Sequence, residues 1–563
     1  MLSHRYAHND FFLLYPLVLV YTLGVNNNQY SLKGGFTMTV KSNNERELPR
    51  HTCCPCVGQD STNGVSRRDF LQGVGSVALA GAAITGLSWS AVSAAEKDDS
   101  APKRRALKVK PVLVYSTPRR RNQTSWRSWG GIQTEQDASR EVNKIQSELR
   151  KLQAKADFPV DFMPVSRIKG KSNVASLNDL DKADVIMIYA AGGGMDTFDE
   201  LAKTGKDVIF FCRHKSGPVY LWYEIISPRY LRQHTDTLAV KGMDDGDVVI
   251  DSQDEIMWRL RALCGLRNAQ GTKIIAIGGP GAWAQSRDFR VQMFKDIKDK
   301  WKLDIQTFSY KELGELIKEA KADKSAVDRA RKRAGRYLRA AGTTLETDRK
   351  FVDNGFLLEQ VFRGMMKKAD CSALTINGCM GTIMPLAETS ACLTLSLLND
   401  DGYLLFCESD FVVIPSGVLL AGISGKPVFL NDPTYPHDGL ITLAHCTAPR
   451  RMDGKKLEPA RIMTHFESDY GAAPKVEMHK GQLITNIVPD FNIKRWVGLA
   501  GEIVDAPFMD VCRSQIDISF SCDSQKLAER MPGFHWMTCY GDYMRELGYA
   551  LKKVGIEWEN LTA

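Results

Sequence analysis

"DVIMIYA" (184–190) and "DVIFFC" (207–212) are two short β-branched and aromatic runs separated by "AGGGMDTFDELAKTGK" (191–206), and this spacing decides the fold class. Each run is the length of one strand and carries no polar alternation, as a strand buried on both faces requires. The segment between them is long enough for a helical crossover, so the pair reads as parallel strands in an α/β sheet. The same signature extends outward. Further strands are predicted at "PVLVYS" (111–116), "VDFMPV" (160–165), "KIIAIGG" (273–279) and "LDIQTF" (303–308). Helices are predicted over 136–155, 253–267, 289–301, 327–341 and 346–368.

Past residue 370 the pattern turns extended: "ITLAHCTAP" (441–449), "RIMTHFES" (461–468), "QLITNIV" (482–488), "WVGLAGEIV" (496–504) and "SQIDISF" (514–520). The expected architecture is α/β. Two N-terminal parallel-sheet domains, 106–245 and 246–370, precede a β-rich C-terminal domain, 371–563. A chain of 563 residues, 44% hydrophobic and 25% charged, has ordinary globular composition for that plan. Its net charge of +8 is spread over 74 basic and 66 acidic residues, with no basic stripe, so no nucleic-acid partner is expected.

Residues 1–95 read differently. In "SRRDFLQGVGSVALAGAAITGLSWSAVSAAE" (66–96), Arg67 and Arg68 precede a weakly apolar stretch that ends on Val92-Ser93-Ala94. This is the layout of a twin-arginine export signal with its cleavage motif, so the export machinery is a predicted partner and the location periplasmic or secreted. The apolar run 11–25 is too short for a comfortable span, and Met38 offers an alternative start. Beyond the signal the cysteines form no CxxC pair and several lie in apolar runs, which predicts buried free thiols and no disulfide framework.

Two kinds of loop at expected strand ends have ligand-binding composition. "TPRRRNQTSWRSWGGIQTE" (117–135) combines Trp126, Arg127 and Trp129 with paired glycines; it suits a polyol or anion site, and equally a solvated loop anchored by its tryptophans. "YAAGGGMDTFDE" (189–200) and "IGGPGAWAQ" (277–285) are glycine-rich but lack the spacing that cradles phosphates. That counts against an NAD-dependent oxidoreductase.

The chemistry concentrates near "YLLFCESDFVVIPSG" (403–417), where Glu408 and Asp410 close an apolar run. A carboxylate at such a place needs a partner. The order "LSLLNDDG" (395–402), "CESD" (407–410), "GKPVF" (425–429), "HCTAP" (445–449) and "HWMTCYGD" (535–542) resembles the C-terminal domain of the L-fucose and L-arabinose isomerase superfamily. The resemblance implies a sugar-isomerase-like fold, a homo-oligomer, and a divalent metal, manganese before magnesium, that assists proton transfer between two carbons of a monosaccharide or sugar acid. It assigns Asp410 as ligand and base, His535 and His445 as ligands, and Glu408 as a ligand or a group that orients one. Arg127, Trp126 and Trp129 would close over a neighbouring chain's site. One element is missing. The glutamate those isomerases carry upstream has no counterpart in "TINGCMGTIMPLAETSAC" (375–392), where Glu388 is displaced. The alternative expectation is therefore a carbohydrate-binding protein that keeps the fold without catalysis.

Overall fold

The computed structural model describes residues 31–32, 36–37, 84–96, 102–283 and 287–562. Arg67, Arg68 and the run 11–25 lie outside them. Ser31–Leu32 and Phe36–Thr37 pair as a short antiparallel ladder by themselves.

The first sheet is built from β1 (Leu107–Val114), β2 (Val160–Phe162), β3 (Ser166–Ile168), β4 (Val185–Ala190), β5 (Asp207–Cys212) and β6 (Val248–Ile250). Its order is β2-β1-β4-β5-β6, with β3 also on β1, and every pairing is parallel. The crossover helix Glu135–Lys155 starts at a capping box between Thr134 and Asp137 and buries Ile145, Leu149 and Leu152 on one stripe.

The second sheet is also parallel. It contains β7 (Lys273–Ile277) and β8 (Asp304–Phe308) and, beyond a short β9 (Thr343–Leu345), β10 (Ala373–Ile376) and β11 (Leu404–Phe406), in the order β8-β7-β10-β11. Residues 371–425 thus bring two strands to this sheet. They also supply three helices that the strand-rich reading of the segment did not anticipate: Cys379–Ala387, Cys392–Asp400 and Ile414–Ser424. All residues of Ile414–Ser424 are buried, so no polar face marks its period. It crosses the helix Gln253–Ala269 at backbone contact: a Cβ on Gly265 would sit 2.2 Å from Ile423 Cγ1, and one on Gly422 2.7 Å from the Gly265 carbonyl.

The C-terminal region holds β12 (Phe429–Pro433), β13 (Leu440–His445), β14 (Ala460–His465), β15 (Tyr470–Val476), β16 (Leu483–Pro489), β17 (Arg495–Asp505), β18 (Ser514–Ser519), β19 (Trp536–Tyr540) and β20 (Glu557–Asn560). Six of them close on themselves as an antiparallel barrel, β16-β19-β12-β13-β18-β17 and back to β16. Closure removes the exposed edges that an open sheet would leave. The chain is therefore mixed α/β with a β-rich C-terminal part.

The helix Trp89–Glu96, which contains the predicted cleavage motif, packs on the helix Arg349–Lys368. Val92 is fully buried, its carbonyl oxygen where a Cβ on Gly364 would fall. Trp89 donates through its backbone N to Glu319 Oε2 (3.1 Å) and through Nε1 to Asp323 Oδ2 (3.1 Å).

Candidate metal centre at the barrel rim

The carboxyl edge of the second sheet meets the rim of the barrel, and Glu408, Asp410, His445 and His535 gather there. Ligands of open parallel sheets bind at such an edge. The turn after β11 carries Glu408 and Ser409 with φ of 66° and 47°, two successive non-glycine residues in the left-handed region. Strain of that kind persists only where surrounding contacts over-determine it. Here Ser409 N donates to Thr375 Oγ1 (3.1 Å), and the loop after β7 clasps the turn through Gly281 N to the Ser409 carbonyl (3.0 Å) and Phe411 N to the Gly281 carbonyl (3.1 Å).

Strand register supplies the rest. Asn431 of β12 pairs with Trp536 of β19, and Asp432 pairs with Ala444 of β13, so Asp432, His535 and His445 share one level of the rim. His535 Nε2 lies 3.4 Å from Glu408 Oε2 and 3.3 Å from Asp432 Oδ1, while His445 Nε2 lies 3.7 Å from Glu408 Oε1. Two carboxylates and two imidazoles converge. Glu408, His445 and His535 are buried, whereas Asp432 keeps 23% of its side chain accessible and forms the solvent side.

Asp410 does something other than the direct coordination that the isomerase resemblance assigns to it. Its Oδ2 is 2.8 Å from His535 Nδ1, and its Oδ1 accepts from Val412 N (3.0 Å) and Trp283 N (3.3 Å). It fixes the His535 ring so that Nε2 faces Glu408 and Asp432, as carboxylates do behind ligating histidines. His445 is held similarly, with Thr447 Oγ1 2.9 Å from its Nδ1.

The charges reinforce one another. Burial pushes the Glu408 carboxyl up, but His445 and His535 outweigh it and hold it well below the usual carboxylate range. Burial opposes charge on His535, yet Asp410 and Glu408 keep that imidazole well above its ordinary value, while Glu408 with Asp432 raises His445 against the same opposition. Asp432 goes the other way, pushed up to about 6 by burial. Carboxyl groups driven apart within one site are what acid and base roles need.

The donor set fits a bound cation. His445 Nε2 and Asp432 Oδ1 are buried and have no hydrogen-bond partner among the described residues. Polar atoms left so are uncommon and mark the place of a ligand. Cys407 Sγ, a Glu408 oxygen and a His445 nitrogen also lie within 4.8 Å of one another. The oxygens and imidazoles suit manganese, and a thiol in reach suits zinc-class ions. The cluster of Cys407, Glu408 and His445 could hold a metal ion, and its donors do not single one out.

Three residues outside the sequence expectation belong to this centre. Asp432 lies in "GKPVFLND" with nothing local to single it out; only its register opposite His535 reveals it. Trp283 arrives on the glycine-rich loop after β7, its ring 5.7 Å from Phe534 and 6.2 Å from His535. Phe534, next to His535 in sequence, is exposed and completes an aromatic wall. Glu388 stays away, bound at the surface to Lys321 (2.8 Å) and Lys350 (2.9 Å). The loop with Trp126, Arg127 and Trp129 packs on segment 218–221, with Arg127 over the Trp126 ring and Trp129 exposed. No contact joins it to the Glu408 centre among the described residues.

No protein-family model matches the chain, and no curated protein matches it either.

Proposed function

We propose that the chain is an exported, metal-dependent protein acting on a monosaccharide or sugar acid, by aldose–ketose isomerisation or a related proton transfer. The observation that carries this reading is the convergence of Glu408, Asp432, His445 and His535 beside the Trp283–Phe534 wall, with His445 Nε2 and Asp432 Oδ1 making ion-pair contacts inside the group but no hydrogen bond among the described residues. Glu408, His445 and His535 would hold a divalent cation, which when bound supplies charge stabilisation to the sugar oxygens. Asp410 keeps His535 Nε2 presented. Asp432, on the accessible side, takes a proton from the carbon beside the carbonyl and returns it to the adjacent carbon. The aromatic wall gives the apolar face of a sugar ring a surface to lie on.

A second reading, a carbohydrate-binding protein without turnover, is supported by the stretch 375–392, where the isomerases' glutamate is absent and Glu388 is occupied by two lysines. Elemental analysis of the wild type, Glu408→Gln and Asp432→Asn, with aldose–ketose assays over pentoses and hexoses, separates the two. Stoichiometric metal lost in Glu408→Gln, with turnover abolished in Asp432→Asn, supports the enzyme. Metal and sugar binding without turnover supports the binding protein, and a wild type that holds no metal refutes both.

The same reading includes a homo-oligomer in which the Arg127 loop closes over a neighbouring chain's centre. Arg127→Ala should then weaken sugar binding with metal content unchanged.

A further inference from the structure

Behind the Glu408 centre lies a second group of donors of different chemistry. His445 is the last residue of β13, and Cys446 follows it in the turn. His445 turns to Glu408; Cys446 packs with Cys392 and Cys512. The three cysteines form one buried cluster, and His465 lines the same cavity. His465 Nδ1 is 3.4 Å from Ser468 Oγ, leaving the other ring nitrogen for the sulfurs. All four residues are buried.

They come from separate elements: the start of the helix Cys392–Asp400, the turn after β13, the end of β14 and the approach to β18. Together with Cys379, Cys407 and His445, the last of which also faces Glu408, they line a cavity of about 10 Å³. That is room for roughly one water or one ion.

Thiols buried as small hydrophobes need no such company. Cys264 and Cys371 show the ordinary case, their sulfurs facing backbone and amide oxygens. Three thiols and an imidazole around an ion-sized space form one of the closed donor sets of structural zinc. The protons these groups carry are those a metal would displace.

We infer that Cys392, Cys446, Cys512 and His465 hold a thiophilic ion of the zinc class, at a site separate from Glu408 and independent of the sugar reading. With four protein donors it has no open position, so its role is to tie the barrel to the helix Cys392–Asp400 and to hold His445 in place.

The test uses the full chain with cobalt(II) chloride as a coloured stand-in for zinc. A thiolate-to-cobalt absorption band is expected in the wild type and in Glu408→Gln, and at least tenfold weaker in Cys446→Ser and Cys392→Ser. No band in folded wild type overturns the site. So does a band that vanishes in Glu408→Gln but survives in Cys446→Ser, which assigns the ion to Cys407 and its neighbours instead. If the serine variants fail to fold, N-ethylmaleimide labelling of the wild type decides: zinc should protect Cys392, Cys446 and Cys512 at least fivefold against the zinc-stripped protein. Equal labelling overturns the inference.

Discussion

The two parallel sheets have the same construction, yet their carboxyl edges have opposite characters. At the edge of the first, Arg213 is fully buried and engages Glu141 (2.6 Å) and Glu148 (2.6 Å), while Tyr220 donates to Glu141 (2.6 Å). Beside it the Asp251 carboxylate accepts from His214 N, Lys215 N and Ser216 N at 2.8 to 3.0 Å. These donors and acceptors answer one another. At the edge of the second sheet, His445 Nε2 and Asp432 Oδ1 touch Glu408 and His535 but complete no hydrogen bond among the described residues, on a backbone held in the left-handed region at Glu408 and Ser409. Charge alone does not distinguish a site from a scaffold; the difference lies in whether the charges are already satisfied.

This contrast can be broken first at Arg213. Arg213→Ala strands Glu141 in the interior and should cost about 3–5 kcal/mol in urea unfolding, with no change in metal content of the folded fraction. A loss of less than about 1 kcal/mol would remove the claim that the first edge is structural.

Next comes Gly265→Ala, which drives a methyl group into Ile423 and displaces the helix behind the Glu408 turn. Overpacking should cost about 1–3 kcal/mol, and metal affinity should fall as well. Affinity that holds while stability drops would uncouple helix and site.

Asp432→Asn should do the reverse of Arg213→Ala. In metal-stripped protein, between an ordinary aspartate pKa and about 6, the folded chain keeps a proton on Asp432 that the unfolded chain has released. Wild-type stability therefore falls as pH rises through that window. The asparagine variant should be more stable by about 1–2 kcal/mol above pH 7, after discounting for the exposed part of the side chain, and equal to wild type near pH 4. A destabilised variant at pH 8 would show that Asp432 is a structural carboxylate after all.

The smallest effect belongs to Glu388→Ala. Its lysine pairs are at the surface, so stability should change by less than about 1 kcal/mol and neither metal nor sugar binding should move.

The legibility of the two regions in sequence differs for the same physical reasons. "DVIFFC" is a strand from Asp207 to Cys212 as its uninterrupted apolar run suggests, and the helix over 136–155 begins one residue early at its capping box. β10 and β11 span only four and three residues, and the helix Ile414–Ser424 after β11 is buried on every face, so neither period stands out there. Glu408, Asp410, His445 and His535 were visible because they end apolar runs in a recognisable motif order. Asp432 depends on a pairing between strands some hundred residues apart, and the thiol cluster on a helix start meeting the ends of three strand connections; no local pattern encodes either. The contact of Asp410 with His535 Nδ1 joins residues 125 apart, and nothing in the local sequence of either signals it.

The docked helix Trp89–Glu96 has a consequence in time. A protease that reads Val92-Ser93-Ala94 binds its substrate extended, which requires the helix to unwind and Trp89 to leave Glu319 and Asp323. Once the segment is seated, the cut waits on the population of that opened form. The seated segment is thus shielded from any enzyme that reads its chain extended, and its exposure is set by local opening of the helix rather than by the residues alone.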